Sequence, residues 1–400
     1  MSERARARVL WVLWLTYGSF YFCRSNLAAA VPGIRSELVL TRTEIGWILG
    51  ALKLAYGIGQ LINGQLAERV APRRLLAIGM LASAALNVVF GFGTGLYFLI
   101  FVWACNGYAQ ALGWAPTMRV ATATFSPERR GRAIAVIGTG YQLAGALTFV
   151  VAGASVDAFG WRGAVWVPAI LLALSAIHML VLMPREAPPR VAHARSDAPW
   201  TRTLAATLGN GRLWLLAGAL GLLSVCRYGF IDWGIAHLIE AQPASVTVSA
   251  LKYAVLPLGG IAGTLAAGWA TDRYFGGRRA PVVCVMLVGL AGLVLGYDAL
   301  VQTSLIGSII ALALIGALIF GPQVLLVGAA PVDLAHGGTV AAAVGFVDFI
   351  GYVGASIGDQ VTGFVVDRYD WHVALELWAG AALAGALVVA PLWRTRAAAP

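Results

Sequence analysis

Charged residues are scarce in this 400-residue chain, and lysine is nearly absent. Only 12% of the residues are charged, against about 25% in a soluble domain. Hydrophobic residues make up 60%, and the mean hydropathy is +0.79. The basic residues are 26 arginines and two lysines, Lys53 and Lys252. This composition excludes an ordinary soluble protein and indicates an integral membrane protein.

Motifs for catalysis, metal binding and nucleotide hydrolysis are also missing from the sequence. The four cysteines and five histidines lack the spacing of metal ligands, and no phosphate-binding loop of the Walker type occurs. We therefore predict no enzyme activity, no metal site and no cofactor. The first ten residues, MSERARARVL, lead into a full-length apolar stretch without a small-residue cleavage site, so no cleaved signal is expected.

Twelve apolar stretches are present, each near the roughly 20 residues that a helix needs to cross a bilayer. They cover 8–31, 44–67, 75–93, 96–117, 131–155, 161–183, 212–239, 247–271, 280–300, 303–330, 339–365 and 371–393. The single long polar stretch, 184–211, is rich in proline and arginine and is typical of a linker. We predict an all-α membrane protein of two pseudo-symmetric six-helix bundles, 1–183 and 212–400.

The net charge of +10 is distributed unevenly between the two sides of the predicted spans. Segments on one side hold 20 of the 28 arginines and lysines, whereas the opposite loops hold four. Since cytoplasmic loops carry an excess of basic residues, this bias places both termini and the linker in the cytoplasm. It also explains the net charge without a nucleic-acid partner.

Two arginines lie inside predicted spans, 203 residues apart in the chain. Arg24 follows Cys23 in the first span, and Arg227 follows Cys226 in the seventh. A charge in hydrocarbon costs about 2.5–3.5 kcal/mol on insertion scales, so such residues normally serve a function. We predict that both arginines face a polar cavity and bind a small anion.

A repeated loop supports the equivalence of the two arginines. GQLAERVAPRR follows the second span, and GWATDRYFGGRR follows the eighth. Each loop carries an acid–arginine pair, which we predict as gating residues: Glu68 and Arg69 in the first, Asp272 and Arg273 in the second. In repeated transporters, the substrate site lies near the bilayer midplane between the repeats.

Longer motifs resemble those of the organophosphate:phosphate antiporter family of the major facilitator superfamily. They are YFCRSNLAAAVPGI, NGYAQALGWAPTMR, CRYGFIDW and AAAVGFVDFIGYVGAS. The resemblance covers nearly the whole chain and matches Arg24 and Arg227 to the family's substrate arginines. It implies a twelve-helix carrier in the bacterial inner membrane, expected as a monomer, that exchanges an organophosphate for inorganic phosphate.

The chain departs from the family at two positions that help bind phosphate. Gln60 occupies the place of a lysine in helix 2, and Tyr141 that of a histidine in helix 5. Lys53 lies two turns from Gln60 on the same helical face. It is either a displaced third cation of the site or a lysine that extends outward or pairs with a helix dipole. Tyr21 and Tyr228, adjacent to the arginines, are predicted to line the cavity.

Acidic residues within the spans leave the mode of coupling open. Asp232, Asp359 and Lys252 fall at similar depths and predict an interior ion pair. Asp348, nearer the midplane, is either a proton site or a counterion to Arg227 or Lys53. Beside exchange, two alternatives stay open. One is a proton-coupled symporter of a carboxylate, phosphonate or other oxyanion. The other is a transporter-like membrane sensor of a phosphate ester.

Overall fold

The computed structural model describes residues 2–183, 205–242, 244–335 and 339–395. Residues 184–204 of the predicted linker lie outside this part of the chain. The helices of the first half are α1 (Glu3–Ser19), α2 (Leu27–Leu38), α3 (Arg42–Arg69), α4 (Pro72–Phe90), α5 (Leu96–Gln110), α6 (Trp114–Thr124), α7 (Pro127–Phe159) and α8 (Gly163–Leu182). A 3₁₀ turn, Phe20–Cys23, follows α1 directly.

The second half repeats this succession of long helices. Its helices are α9 (Gly211–Tyr228), α10 (Gly234–Ala241), α11 (Val246–Tyr253), α12 (Val255–Phe275), α13 (Arg279–Thr303), α14 (Leu305–Val324), α15 (Ala330–Leu334), α16 (Val340–Arg368) and α17 (Trp371–Val389). Two π-helical turns, Gly229–Trp233 and Leu325–Ala329, interrupt this series. A 3₁₀ turn, Ala390–Leu392, ends it.

The helices account for all twelve predicted crossings. In the described part of the chain, 11 helical segments are long and apolar enough to cross a membrane. The remaining crossing is the first, which the turn after α1 divides into α1 and α2, so that neither piece is long enough alone. The predicted all-α fold is confirmed.

Contacts divide the chain into two compact units. Unit 1 comprises Met1–Leu40, Ala51–His193 and Ala244–Ala254, and unit 2 comprises Thr41–Gly50, Ala194–Pro243 and Val255–Pro400. The first turns of α3 thus group with unit 2, and α11 groups with unit 1. Each unit thus includes one short segment from the other half of the sequence, which the sequence repeat does not indicate. The predicted bundle bounds, 1–183 and 212–400, stay a prediction.

Close helix packing in both units depends on small residues. A Cβ atom added at Gly259, Gly263 or Gly316 would collide with the backbone of the facing helix in the α12–α14 pair. In unit 1, a Cβ at Gly107 of α5 would collide with the backbone of α3 at Leu52. Small residues let helix backbones approach closely in a bilayer, where burial of apolar surface provides no driving force between helices.

Candidate functional site

Arg24 lies where the first crossing leaves helical geometry. The 3₁₀ turn ends on it, and its backbone N–H donates to the Tyr21 carbonyl at 3.1 Å. The side chain is buried, with 9% of the residue exposed. The guanidinium carbon lies 4.0 Å from the ring centre of Tyr56 and 5.0 Å from that of Tyr21. Aromatic faces attract a cation electrostatically, so both rings stabilise the buried charge.

A buried polar network supports this irregular backbone. The Gln110 amide donates to the Phe20 carbonyl at 3.0 Å, and the Asn106 amide donates to the Cys23 carbonyl at 2.8 Å. Ser83 joins the two amides: it accepts from Gln110 at 2.8 Å and donates to Asn106 at 2.6 Å. The 3₁₀ turn leaves carbonyl groups without α-helical partners. Two amide side chains of α5 satisfy them, and Ser83 of α4 holds these amides in place.

The network extends beyond the turn to the start of α2. Asn26 donates both to the Asn87 side chain at 2.9 Å and to the Ala164 carbonyl at 2.8 Å. Asn87 in turn donates to the Ser83 carbonyl. All these polar side chains are buried. The backbone on both sides of Arg24 is therefore fixed by hydrogen bonds to three neighbouring helices.

Tyrosines of unit 1 form one cluster beside Arg24. Tyr21 and Tyr141 stack with their ring centres 5.2 Å apart, and Tyr17 meets both rings edge-on. The Gln60 amide donates to the Tyr56 hydroxyl at 2.8 Å. The structure thus brings the predicted Tyr21, Tyr141 and Gln60 together around Arg24. It adds Tyr56, which the sequence reasoning missed although it lies one helical turn from Gln60.

Arg227 lies at the end of α9, just before the π-helical turn. It is 6% exposed, and its guanidinium carbon lies 4.7 Å from the ring centre of Tyr228 and 5.3 Å from that of Phe320. A small cavity within unit 2 opens beside it. The polar residues that line this cavity are Ser224, Arg227, Tyr228, Gln323, Asp348 and Tyr352. The cavity beside Arg227 is therefore formed by residues of α9, α14 and α16 and of the turn after α14. The predicted Asp348 of α16 is one of these residues.

The other charged residues predicted within the spans are mostly buried. Lys53 is 3% exposed, Asp232 is 3% exposed and Asp359 is fully buried, whereas Lys252 is partly exposed. Burial removes Lys53 from water, which disfavours the prediction that it extends outward to solvent. The predicted ion pair of Asp232, Asp359 and Lys252 stays a prediction.

Two carboxylates hold the first turns of α3 and α11. In unit 2, Asp367 accepts hydrogen bonds from the backbone N–H groups of Arg42 at 3.0 Å and Thr43 at 2.7 Å. In unit 1, Asp157 accepts from the backbone N–H groups of Val246 at 3.2 Å and Thr247 at 3.0 Å. Each carboxylate thus satisfies orphan donors at a helix start and meets the positive end of the helix dipole.

The Arg42 side chain adds ion pairs to the first of these contacts. It donates to both carboxylate oxygens of Glu240 at 2.9 Å and lies 3.7 Å from Asp367. Glu240 also accepts from the Trp371 indole at 2.8 Å. In unit 1, Glu37 likewise accepts from an indole, that of Trp161 at 2.9 Å. The two units therefore repeat a glutamate–tryptophan pair that the sequence reasoning missed.

Glu37 lies beyond the predicted first span, which ends at residue 31. Arg162 donates to it at 2.8 Å, and this hydrogen bond, with that from Trp161, holds the pKa of Glu37 below its usual range. The same bond raises the pKa of Arg162. Both groups are therefore charged at neutral pH.

The predicted gating residues stay a prediction, and the structure describes the contacts of some of them. Asp272 lies 3.7 Å from Arg279, which also lies 3.2 Å from Asp333. The repeated loop identifies Asp272 but neither Arg279 nor Asp333. Arg69 and Arg273 are exposed, and the Glu68 side chain lies outside the described part of the structure. In unit 1, Arg119 donates to the carbonyls of Ala67 and Val70 at the end of α3.

Groups suited to hold a metal do not assemble in the described residues. Across 2–183, 205–242, 244–335 and 339–395, no three or more histidine, cysteine, aspartate or glutamate side chains are arranged for a metal ion. Each unit instead contains one of the two predicted arginines as a buried guanidinium against aromatic rings, Arg24 in unit 1 and Arg227 in unit 2.

Sequence comparisons find one family model and several similar membrane proteins. A family model described as Major Facilitator Superfamily matches residues 13–359. The glycerol-3-phosphate transporter of Bacillus subtilis (strain 168) is 30% identical over 417 residues, with 98% of this chain and 93% of that protein covered. The membrane sensor protein UhpC of Escherichia coli (strain K12) is also 30% identical, with 96% and 92% covered.

Solved transporter structures share the fold. A bacterial homologue of the human lysosomal transporter Spinster, in an inward-facing and unoccupied conformation, superposes with a TM-score of 0.77 at 14% identity over 98% of this chain and 96% of that one. The nucleoside transporter NupG gives 0.74 at 17% identity over 98% and 100%. At these identities the likeness concerns the fold alone.

Proposed function

This chain belongs to the organophosphate:phosphate antiporter family of the major facilitator superfamily, and from that premise we propose that it exchanges an organophosphate for inorganic phosphate. The observation that carries the proposal is the pair of buried arginines at near-equivalent positions of the repeat. A guanidinium presents a planar fork of donors that matches phosphate oxygens in a bidentate contact. Arg24 and Arg227 are the proposed phosphate ligands.

Electrostatics explain why such a carrier exchanges its substrates. Burial of a guanidinium is costly unless a counter-charge is present, and an arginine does not lose its proton in a protein. A bound phosphate supplies counter-charge beyond that of Asp348, which lines the cavity beside Arg227, and it lowers the free energy of the closed state. The empty carrier lacks that stabilisation, so it changes conformation slowly. Exchange of one anion for another follows from this difference.

We assign Lys53, Tyr21, Tyr141, Tyr228 and Gln60 to the walls of the proposed site. Lys53 supplies a third cation from its displaced position in α3, and burial supports this role over the solvent-facing one. The tyrosine hydroxyls and the Gln60 amide donate to phosphate or position the rings that hold Arg24.

The capped helix starts are the proposed moving parts. The first turns of α3 and α11 are each held by a few hydrogen bonds to one carboxylate. Such contacts are individually worth about 1 kcal/mol and are readily exchanged for water. We propose that they break and form again in each cycle. The Asp272–Arg279–Asp333 cluster and the Arg119 contacts to α3 are assigned to the gate at the other ends of the helices.

The proposed location is the bacterial inner membrane, with both termini in the cytoplasm and a single chain as the transport unit. The bias of arginine towards one side supports the orientation. Both proposed phosphate ligands come from one chain, which supports a monomer.

Counterflow in proteoliposomes tests the exchange. Vesicles loaded with inorganic phosphate should take up labelled phosphate and organophosphate without a pH gradient. Vesicles without an internal anion should take up almost none, even under an imposed proton gradient. Accumulation in the second experiment would contradict exchange and favour a proton-coupled symporter. In that case, Asp348→Asn or Asp359→Asn should retain exchange but lose the gradient-driven accumulation.

A sensor is the second candidate, because a protein named as a membrane sensor is as similar to this chain as a named transporter is. The same preparation separates the two functions. A sensor should bind a phosphate ester, seen as a shift of the thermal midpoint of the purified protein, and yet give no counterflow.

A further inference from the structure

The cavity beside Arg227 contains more hydrogen-bond acceptors than an anion site requires. Asp348 and Gln323 line it together with Arg227 and the hydroxyls of Ser224 and Tyr352. An ionised carboxylate only accepts hydrogen bonds, and it repels a second anion. A phosphate group needs donors, as Arg227 and the hydroxyls provide, and an ionised carboxylate offers it none.

The Gln323 side chain strengthens this point. Its Oε1 atom is buried and has no hydrogen-bond partner in the structure. A buried acceptor without a donor costs free energy, and a ligand that supplies the donor regains it. The cavity therefore combines one cation for an anionic group with two acceptors for donor groups.

We propose that Asp348 and Gln323 recognise the organic part of the substrate through its O–H or N–H groups. The inference rests on the proposed function, in which Arg227 binds the phosphate group of an ester. The substrate class is then a phosphate ester with a hydroxyl or ammonium group close to the phosphate. A phosphate ester with a second anionic group, such as a carboxylate, is disfavoured because that group meets the Asp348 carboxylate.

The charge of the cavity supports this choice. Among the residues that line the cavity, Arg227 is the base and Asp348 is the acid, so their charges balance when Asp348 is ionised. A wall with no net charge fits a ligand that places an anionic group and a donor group side by side. A ligand ammonium group is attracted by the Asp348 charge in addition to forming hydrogen bonds, whereas a ligand hydroxyl only forms hydrogen bonds. Ligands with the two donor types therefore distinguish the role of Asp348 from that of Gln323.

Binding to the purified full-length protein tests the proposal independently of transport. Titration calorimetry with glycerol phosphate, aminoethyl phosphate and phosphoglycerate probes the hydroxyl, ammonium and carboxylate classes. We expect the first two to bind at least about tenfold more tightly than phosphoglycerate. Asp348→Asn should reduce the preference for aminoethyl phosphate over phosphoglycerate by about tenfold, since it removes the charge and keeps the shape.

A second variant protects against misfolding of the first. Gln323→Met removes the acceptor at similar volume, and it should weaken glycerol phosphate relative to inorganic phosphate by about five- to tenfold. Asp298→Asn is the matched control. Asp298 lies elsewhere in unit 2, where it accepts from Gln302 at 3.0 Å and faces His237 at 3.5 Å, so the ratios should not change.

The outcomes separate this inference from the proposed function. Equal affinities for the three esters, or ratios unchanged by both Asp348→Asn and Gln323→Met, would overturn the inference and leave Asp348 as a simple counterion. Phosphate counterflow with that result would leave the proposed exchange standing. The expected ratios without any counterflow would sustain the inference and remove the exchange function. Failure of all phosphate compounds to bind would overturn both.

Discussion

The helices that carry Arg24 and Arg227 occupy near-equivalent places in the two sequence halves, yet they depart from α-helical geometry in opposite ways. In unit 1 the chain tightens into a 3₁₀ turn and breaks before α2. In unit 2 it widens into a π-helical turn directly after α9. Both departures lie beside a buried arginine, and irregular turns of this kind frequently occur at functional sites. The repeat has kept the charge while the backbone that presents it has diverged.

The supports of the two turns differ accordingly. Around Arg24, the Asn106 and Gln110 amides of α5 satisfy the carbonyls that the 3₁₀ turn leaves open. Around the π-helical turn, Gly229 lies against the Trp378 ring, and Phe230 packs on the same ring at 4.9 Å. Unit 1 therefore depends on hydrogen bonds and unit 2 on packing, which predicts different sensitivities to mutation.

Replacement of either arginine by lysine should have the largest effect and should not distinguish the units. Lysine keeps the charge but loses the bidentate fork. Loss of one charged hydrogen bond costs about 1.5–3 kcal/mol, so phosphate affinity should fall by roughly 10- to 100-fold and exchange should nearly cease. Counterflow with protein of verified thermal stability measures this, with the exposed Arg212→Lys as control. Wild-type exchange rates in both variants would contradict the proposed bidentate contacts of Arg24 and Arg227 with phosphate.

Asn106→Leu should expose the dependence of unit 1 on hydrogen bonds. The change leaves the Cys23 carbonyl and the Ser83 hydroxyl without the Asn106 side chain, at about 1–3 kcal/mol for each buried group. We expect a lower free energy of unfolding in detergent and weaker phosphate binding, since Arg24 follows Cys23 directly.

Thr148→Val is the matched control for Asn106→Leu. The Thr148 hydroxyl donates only to Ala144 of its own helix, at 2.6 Å. Its loss should cost under about 1 kcal/mol and leave phosphate affinity unchanged. An Asn106→Leu protein that is destabilised but binds phosphate normally would show that the network supports the fold and not Arg24.

Gly229→Ala should expose the dependence of unit 2 on packing. A methyl group at this position would collide with the Trp378 ring. Overpacking of this kind costs about 1–3 kcal/mol. Gly292 of α13 is the control, because a Cβ there meets no atom within 4 Å. Gly292→Ala should be neutral or slightly stabilising in the same unfolding assay, and equal effects of the two changes would contradict the packing account.

The capped helix starts offer a smaller contrast between the units. Asp367 faces the Arg42 guanidinium in addition to the backbone, whereas the contacts described for Asp157 are hydrogen bonds. Asparagine keeps an acceptor and removes the charge. Asp367→Asn should therefore speed amide hydrogen exchange at the start of α3 by roughly two- to fivefold.

Asp157→Asn should barely change exchange at the start of α11. Alanine at either position removes the cap itself and should speed local exchange by about fivefold, or about 1 kcal/mol. Equal responses to the two asparagine variants would show that the Arg42 ion pair contributes nothing to the cap.

The Glu37–Arg162 pair should give the smallest effect, visible only in acid. Its hydrogen bonds lower the pKa of Glu37 in the folded protein. The pair therefore contributes stability above the ordinary glutamate pKa, and this contribution is lost as the pH falls through the lowered value. Because the pair is largely exposed, we expect about 0.2–1 kcal/mol. Thermal midpoints of wild type and Glu37→Gln should differ slightly at pH 7 and converge as the pH falls through the lowered pKa of Glu37.

Much of this architecture can be predicted from sequence patterns, and the features that could not be predicted are local turns and side-chain contacts. Apolar length gives the crossings, and the repeat gives the equivalence of Arg24 and Arg227. The 3₁₀ turn after Ser19 and the π-helical turn after Tyr228 could not be predicted from the sequence. Such turns differ from an α-helix by single hydrogen bonds, and no residue type enforces either. Tyr56 could have been predicted as a neighbour of Gln60, because side chains at i and i+4 share a helical face.

Tertiary contacts account for the remaining omissions. Gln323 and Asp333 act with residues from other helices, and no spacing in the chain brings them to Asp348 or Arg279. The glutamate–tryptophan pairs repeat, one in each half of the chain, but their arginine partners Arg162 and Arg42 both come from the first half. Periodic sequence patterns therefore predict the helices, whereas contacts between side chains of different helices are seen only in the folded structure.

The burial of Lys53 has a practical consequence for chemical labelling. This chain presents side-chain amines only at Lys53 and Lys252, because every other strongly basic side chain is a guanidinium. Lys53 is 3% exposed, so an amine-selective reagent reaches it only when water enters the span. The wild-type protein therefore contains its own reporter of hydration. Mass spectrometry after brief acylation can follow that event residue by residue, without an introduced cysteine or fluorophore.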